Sequence, residues 1–92
     1  QKVKVTFSKI MDTDCEFLLG NGSYDVLVDE RSVGPITNIE VYSKDSMERE
    51  GKLVEGVNSV ILTCSGSLRG KHLEVLFRKE LSDIDGNYVE LN

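Results

Sequence analysis

The sequence predicts an all-β domain built as an antiparallel β-sandwich. Apolar and polar residues alternate along most of the chain, turn-forming residues interrupt this alternation at short intervals, and no long segment has the apolar spacing of an amphipathic helix. About seven short strands follow from this pattern. Because 92 residues suffice for one hydrophobic core but not for two, residues 1–92 are predicted to form a single domain.

The first predicted strand spans residues 2–8. Val3, Val5 and Phe7 alternate with polar residues along it, which predicts one buried and one exposed face. Lysines discourage indiscriminate pairing of a free strand, so this strand is expected at a protected edge of its sheet. The lysines concerned are Lys2, Lys4 and Lys9.

A tight turn at Asn21-Gly22 is predicted to join the second and third strands. A type I′ turn requires positive φ at both central residues, and Asn-Gly is a favoured pair at these positions. The turn fixes the register of the hairpin and predicts an apolar inner face. On this face Leu19 is paired with Tyr24, Phe17 with Val26, and Cys15 with Val28.

The rest of the chain predicts further short strands separated by turns. Gly34-Pro35 interrupts the chain before the next strand, and Asp85-Gly86 predicts a turn before the last one. The Gly- and Ser-rich segment 65–71 is predicted to be the loop of a second hairpin. The strands delimited in this way are 36–42, 58–64, 72–81 and 87–91.

One short helical turn is predicted near residues 45–50. Asp45 is a residue type favoured at an N-cap, and Glu48 stands at the spacing of a capping box. Gly51 would end the turn.

Two versions of the β architecture fit this pattern, an immunoglobulin-like sandwich and, as the alternative, a small β-barrel. The chain has no Trp to pack on an inter-sheet disulfide. Leu62 stands two residues before Cys64, where a tyrosine corner would place Tyr. The immunoglobulin-like version therefore depends on architecture alone, and no family is recognised.

Charge and hydropathy argue against two classes of function. With a formal net charge of −5, the chain lacks the surplus of Lys and Arg that nucleic-acid binding requires. No apolar run approaches the roughly 20 residues that cross a bilayer, so no membrane insertion is predicted. The first residue is Gln1, which indicates that a secretory signal or expression-related residues were removed. A secreted or extracellular location is predicted, with a cytoplasmic one as the alternative.

The two cysteines are predicted to lie on the inner faces of strands, where Cys15 and Cys64 would meet in a disulfide across the core. Such a bond would close a loop of about 50 residues and stabilise the domain by roughly 4 kcal/mol. The alternative is a pair of buried free thiols that pack as small apolar groups.

The triplet Asn21-Gly22-Ser23 also has the pattern of an N-linked glycan acceptor. A glycan must be exposed and so is the tip of a hairpin, which makes Asn21 a candidate glycosylation site. The turn alone explains the residue as well.

The sequence predicts no enzyme, no cofactor and no metal site. His72 is the only histidine, and together with the two cysteines it does not have the spacing of zinc ligands. Segment 66–72 departs from the spacing of a phosphate-binding loop, and segment 83–87 departs from that of a calcium-binding EF-hand loop.

The predicted function is therefore that of a non-catalytic module for protein–protein interaction, extracellular or part of a larger assembly. A free strand edge or the loops at one end of the sandwich would bind the partner. Candidate contacts are Arg69, Lys71 and His72. The alternative is a small ligand-carrier or hydrolytic β-barrel that uses carboxylates near 12–16 or the basic loop 69–72. A deep pocket with converging polar groups would favour this alternative.

Overall fold

A computed structural model describes residues 1–89 of the protein, and this part is almost entirely β structure. Within it lie six strands and a single 3-10 turn at Asn21–Ser23. The predicted all-β class is confirmed. The strands are β1 (Lys2–Met11), β2 (Tyr24–Val28), β3 (Arg31–Ser32), β4 (Ile36–Arg49), β5 (Lys52–Cys64) and β6 (Leu73–Phe77).

The strands form two antiparallel sheets of three strands each, in the orders β1-β5-β4 and β3-β2-β6. Both sheets are open, so they do not form the closed barrel that was the alternative architecture. β1 lies at a sheet edge, as its lysines predict. The immunoglobulin-like sandwich stays a prediction.

The core lies where the alternating apolar residues of β1 and β5 face inward. Val3 pairs with Leu62 and Val5 with Val60, and all four side chains are buried. Val26 of the second sheet is also fully buried. Segments outside the strands complete this core with Leu18 and Leu81.

The predicted hairpin at Asn21-Gly22 is wrong. Residues 12–20 form turns rather than a strand, and β2 pairs instead with β3 and β6. Leu18 is buried, whereas Phe17 and Leu19, which the hairpin register places inside, are exposed.

Side-chain hydrogen bonds hold the observed path of this segment. The Tyr24 hydroxyl donates to the Leu18 carbonyl oxygen at 2.7 Å, and the Ser23 hydroxyl donates to the Phe17 carbonyl oxygen. These bonds fold the segment back on the start of β2, so that Leu18 enters the core.

The prediction of a helical turn near residues 45–50 is also wrong, because β4 continues as a strand to Arg49. Arg49 pairs with Lys52, and the two residues between them, Glu50 and Gly51, have φ angles of 50° and 77°. Positive φ at both positions is the signature of a type I′ turn. The chain thus has a Glu-Gly hairpin turn where a capped helical turn was expected.

Segment 65–71 is not a hairpin loop, because β5 and β6 belong to different sheets. The segment crosses from one sheet to the other. A side chain at Gly66 would overlap the Val33 carbonyl, so the crossover passes close to the end of β3 only because this residue is glycine. β6 ends at Phe77, earlier than predicted, and its Leu73 is exposed.

The predicted break at Gly34-Pro35 and the predicted turn at Asp85-Gly86 are both confirmed. The backbone is outside the strands at Gly34-Pro35, and at Asp85-Gly86 the Gly86 N–H donates to the Asp83 carbonyl oxygen at 3.1 Å. Tyr88 forms an isolated bridge with Ser82, and the end of the predicted strand 87–91 lies outside the described residues. Within residues 1–89 no helix has the length and apolar composition that crossing a bilayer requires.

The C-terminal segment supports the part of the β4–β5 hairpin that is near its turn. The Arg49 guanidinium donates to the Ile84 carbonyl oxygen at 2.8 Å and pairs with Asp85 at 3.0 Å. Gly56 lies beneath Ile84 with no room for a side chain.

Candidate functional site

A polar concave surface surrounds the β2–β3 turn. Asp29 and Glu30 form this turn with φ angles of 51° and 71°, between the paired residues Val28 and Arg31. Left-handed backbone is unfavourable for residues other than glycine, so two such residues in succession require support from the surrounding structure.

The crossover between the sheets supplies this support through Asp29. The Asp29 carboxylate accepts hydrogen bonds from the backbone N–H groups of Lys71, at 3.1 Å, and His72, at 2.9 Å. The Asp29 N–H in turn donates to the His72 carbonyl oxygen at 2.8 Å. The β2–β3 turn and the C-terminal end of the crossover are therefore tied together.

A groove of about 580 Å³ runs between these two elements. Arg31 enters it from β3 and Arg69 from the crossover. Neither guanidinium forms an ion pair with another of the described residues. We call this surface the basic groove. It is lined by Val28, Asp29, Arg31, Ser32, Val33, Ser67 and Arg69.

The backbone of the basic groove is closely packed. A Cβ atom on Gly70 would overlap Val28 Cγ1 and come within 2.7 Å of an Asp29 carboxylate oxygen. The Arg69 N–H donates to the Ser67 hydroxyl at 3.2 Å. Glycine at position 70 thus allows the crossover to approach the turn closely enough for the Asp29 bonds to form.

The acidic neighbour of the basic groove is already neutralised. Asp25 pairs with the Arg78 guanidinium at 3.0 Å and accepts a hydrogen bond from the Ser32 hydroxyl at 2.9 Å. Asp29 is held by backbone N–H groups. Among the described residues, the two arginines of the groove thus have no carboxylate as an ion-pair partner.

The three residues predicted as partner contacts lie at or beside the basic groove, but only one of them lines it. Arg69 lines the basic groove, while Lys71 and His72 attach the crossover to Asp29 through their backbones and have exposed side chains. Sequence reasoning missed Arg31 and Asp29. The glycine at 70 between two basic residues was the only local signal of a close backbone approach.

Both cysteines are free thiols in the structure, so the predicted disulfide is not formed. Cys64 is buried at the end of β5, where its N–H donates to the Gln1 carbonyl oxygen. Cys15 follows the opposite end of β1 and lies half-buried with its sulfur 3.9 Å from the Glu80 carbonyl oxygen. Burial raises the pKa of the Cys64 thiol.

The carboxylates near 12–16 are not arranged as a metal-binding cluster within residues 1–89. Asp12 accepts a hydrogen bond from the Asp14 N–H at 2.9 Å, which is a local turn. Within residues 1–89 no group of three or more His, Cys, Asp or Glu side chains is arranged to hold a metal ion.

Asn21 is exposed at the start of the 3-10 turn instead of at a hairpin tip. It remains accessible to modification. Ser23, the third residue of the glycan acceptor pattern, is buried.

A second concave surface, of about 370 Å³, lies beside β1. Its apolar walls include Phe7 and Phe77, whose rings stack with centroids 6.2 Å apart. Its polar groups include Lys9 and the buried Asp83, which are 3.9 Å apart. We call it the β1 pocket.

Comparisons with protein-family models, curated proteins and solved structures found no match to this sequence. The geometry of the two surfaces is therefore the basis for any functional argument.

Proposed function

We propose that the protein is a non-catalytic binding module that recognises an acidic segment of a partner protein in the basic groove. The observation that carries this proposal is the convergence of Arg31 and Arg69 on one groove from separate elements, without a carboxylate partner among the described residues. Guanidinium groups bind carboxylates with two parallel hydrogen bonds, which gives geometric selectivity as well as affinity.

The surroundings of the groove favour binding without rearrangement. The bonds from Lys71 and His72 to Asp29 fix the two walls relative to each other. A fixed site loses less conformational entropy when a partner binds than a mobile loop does. The molecule as a whole is acidic, with a formal net charge of −5, so the partner's acidic segment is repelled elsewhere and directed to this groove.

The proposal also includes an immunoglobulin-like sandwich architecture and a place of action for the module. The two open sheets would act as the layers of an immunoglobulin-like sandwich whose connecting segments form the binding surface. A module of this kind would work outside the cell or as a part of a larger assembly.

Binding of a synthetic Glu-rich peptide, followed by fluorescence anisotropy, tests the proposal. A variant carrying both Arg31→Gln and Arg69→Gln should bind the peptide about tenfold or more weakly, since each charge-assisted hydrogen bond contributes about 1.5–3 kcal/mol. Affinity for the unmodified protein should fall as salt is raised. The matched control carries Lys44→Gln and Lys52→Gln, which remove the same charge from exposed positions of the β4–β5 hairpin.

The control variant should retain the affinity of the unmodified protein. Equal losses in both double variants would mean that only net charge matters and that the groove is not the site. No measurable binding of the Glu-rich peptide at low salt would contradict the proposal as well.

The β1 pocket favours a second candidate function, that of a carrier for a small apolar ligand. It combines aromatic walls with the Lys9–Asp83 pair, and its volume is within the range of ligand sites. A naphthalene dye whose fluorescence rises in apolar surroundings should bind to the unmodified protein. Ser8→Phe, which fills the pocket from an exposed position, should abolish this signal. Retained dye fluorescence in this variant would dismiss the carrier function.

A further inference from the structure

The Asn21-Gly22 pair occupies the first two positions of the 3-10 turn Asn21–Ser23. It does not form the predicted hairpin turn, and both residues are exposed. Within residues 1–89 no hydrogen bond holds the Asn21 side chain or the Gly22 N–H. The space around Gly22 is open, with no atom within 4 Å of the position that a Cβ would occupy.

We propose that Asn21 is a site of spontaneous deamidation and isoaspartate formation in the folded protein. The Gly22 backbone nitrogen attacks Cγ, the carbonyl carbon of the Asn21 amide. A bond forms between these two atoms, the bond from Cγ to the amide nitrogen Nδ2 breaks, and ammonia leaves with the proton from the Gly22 nitrogen. Water then opens the cyclic imide at either carbonyl and produces an aspartate or an isoaspartate. No oxidant or cofactor is needed.

Glycine at position 22 is what makes the attack accessible. A side chain on the residue after the asparagine would hinder approach of its backbone nitrogen, and Gly22 has none. The backbone must also leave the 3-10 conformation for the ring to close. That turn is a single turn, in which the Ser23 N–H donates to the Gly20 carbonyl oxygen at 3.0 Å, and short 3-10 segments have poorer hydrogen-bond geometry than α-helices.

The other asparagines among the described residues are internal controls. Asn38 lies within β4 and is followed by Ile39. Asn58 lies within β5, and its amide nitrogen donates to the Ser43 hydroxyl at 3.3 Å. Asn87 donates its N–H to the Asp83 carboxylate and is followed by Tyr88. All three precede residues that carry side chains and should react more slowly.

The product would alter a segment on which the core depends. An isoaspartate routes the main chain through the side chain and lengthens it by one methylene between position 21 and Gly22, next to Ser23. Ser23 donates its hydroxyl to the Phe17 carbonyl oxygen and accepts the Arg78 N–H at 2.7 Å. These bonds would be displaced, and each conversion would add one negative charge.

The experiment compares the unmodified protein with Gly22→Ala during incubation at neutral pH and at about body temperature. Peptide mapping by mass spectrometry and labelling by isoaspartyl methyltransferase report the product at each asparagine. In the unmodified protein we expect conversion at Asn21 while Asn38, Asn58 and Asn87 remain intact. Gly22→Ala should slow the conversion by an order of magnitude or more because of its Cβ. This variant should fold normally, since the new methyl group meets open space.

Three results would overturn the inference. The first is an intact Asn21 in the folded protein while the same residue converts in urea, because the fold then protects it. The second is an equal rate in Gly22→Ala. The third is a glycan on Asn21 in protein purified from its natural source, because the sugar would then occupy the amide nitrogen that has to leave.

Discussion

At the residue scale, Tyr24 determines how the segment before β2 folds. Its hydroxyl donates to the buried Leu18 carbonyl oxygen at 2.7 Å, and its ring packs edge-on against Phe77 at 5.8 Å. Burial, and secondarily the nearby Cys15 thiol, raises the pKa of Tyr24 far above its ordinary value. The side chain therefore acts as a neutral hydrogen-bond donor throughout the physiological range.

Tyr24→Phe should lower the free energy of unfolding by about 1–3 kcal/mol, because it leaves the Leu18 carbonyl oxygen buried without a donor. Urea denaturation measures this loss. Tyr42→Phe is the matched control, since Tyr42 is 59% exposed and its ring still receives Lys4 after the change. If Tyr24→Phe lowers the free energy of unfolding no more than the control does, a water molecule must replace the hydroxyl as the donor to the Leu18 carbonyl oxygen.

Alkaline pH should weaken the fold through the same residue. A pKa that is raised in the folded state means that the folded protein holds the proton more tightly than the unfolded chain. This part of the stability is complete below the ordinary tyrosine value of 10.0 and is lost as the pH rises above it. The slope of stability against pH above this value should therefore be shallower in Tyr24→Phe than in the unmodified protein.

At the element scale, alternation predicted the faces of β1 and β5 correctly, whereas the local turn signals at Asn21-Gly22 and near residues 45–50 did not predict the observed backbone. The faces of β1 and β5 follow from sequence because burial of Val5, Val60 and Leu62 repeats with the two-residue period of a strand. The Asn21-Gly22 turn is worth only about 1 kcal/mol of local preference. Burying Leu18 contributes about 1.5–3 kcal/mol, and the bonds of Ser23 and Tyr24 add to it.

The helical turn near 45–50 failed for a related reason. A capping box stabilises a helix by about 1 kcal/mol. Extending β4 to Arg49 provides a long series of backbone pairs with β5 and brings Met47 opposite Val54. Cross-strand pairing over that length exceeds the local signal of Asp45 and Glu48.

Replacing Glu50 by asparagine should stabilise the turn of the β4–β5 hairpin. Glu50 has a φ of 50° in this type I′ turn, where Asn is favoured over Glu. Glu50→Asn should therefore raise the free energy of unfolding by about 0.5–1 kcal/mol, measured by urea denaturation. Glu48→Asn, at a nearby exposed strand position, should not stabilise. Stabilisation by both changes would indicate an effect of charge alone.

At the scale of the whole molecule, the basic groove depends on a topology that local patterns do not contain. Arg31 and Arg69 line the same groove because the crossover changes sheets, whereas the sequence predicts a hairpin loop within one sheet. The crossover requires glycine at positions 66 and 70, where the backbone passes close to neighbouring atoms. Because glycine occurs in loops of every kind, these two residues do not predict the crossover from the sequence. The basic residues of the loop were thus predictable, and their partner on β3 was not.

The reactivity of the two cysteines tests the same topology. In the structure each is a free thiol, and they lie beyond opposite ends of β1. Cys15, which is half-buried in a turn segment, should react with a thiol reagent in the native protein. Cys64 is 3% exposed within β5, and its raised pKa further lowers the thiolate fraction. It should react only when the β1-β5-β4 sheet opens.

Mass spectrometry after timed labelling measures both rates. One adduct should form quickly, and the second should form at a rate that rises with urea in parallel with global unfolding, because strands of the core open only with the whole domain. Cys15→Ser should remove the fast adduct alone. Two fast adducts would place Cys64 outside the core. Absence of any adduct until a reductant is added would mean that the sulfurs are bonded to each other, which requires a different path for the backbone between β1 and β2.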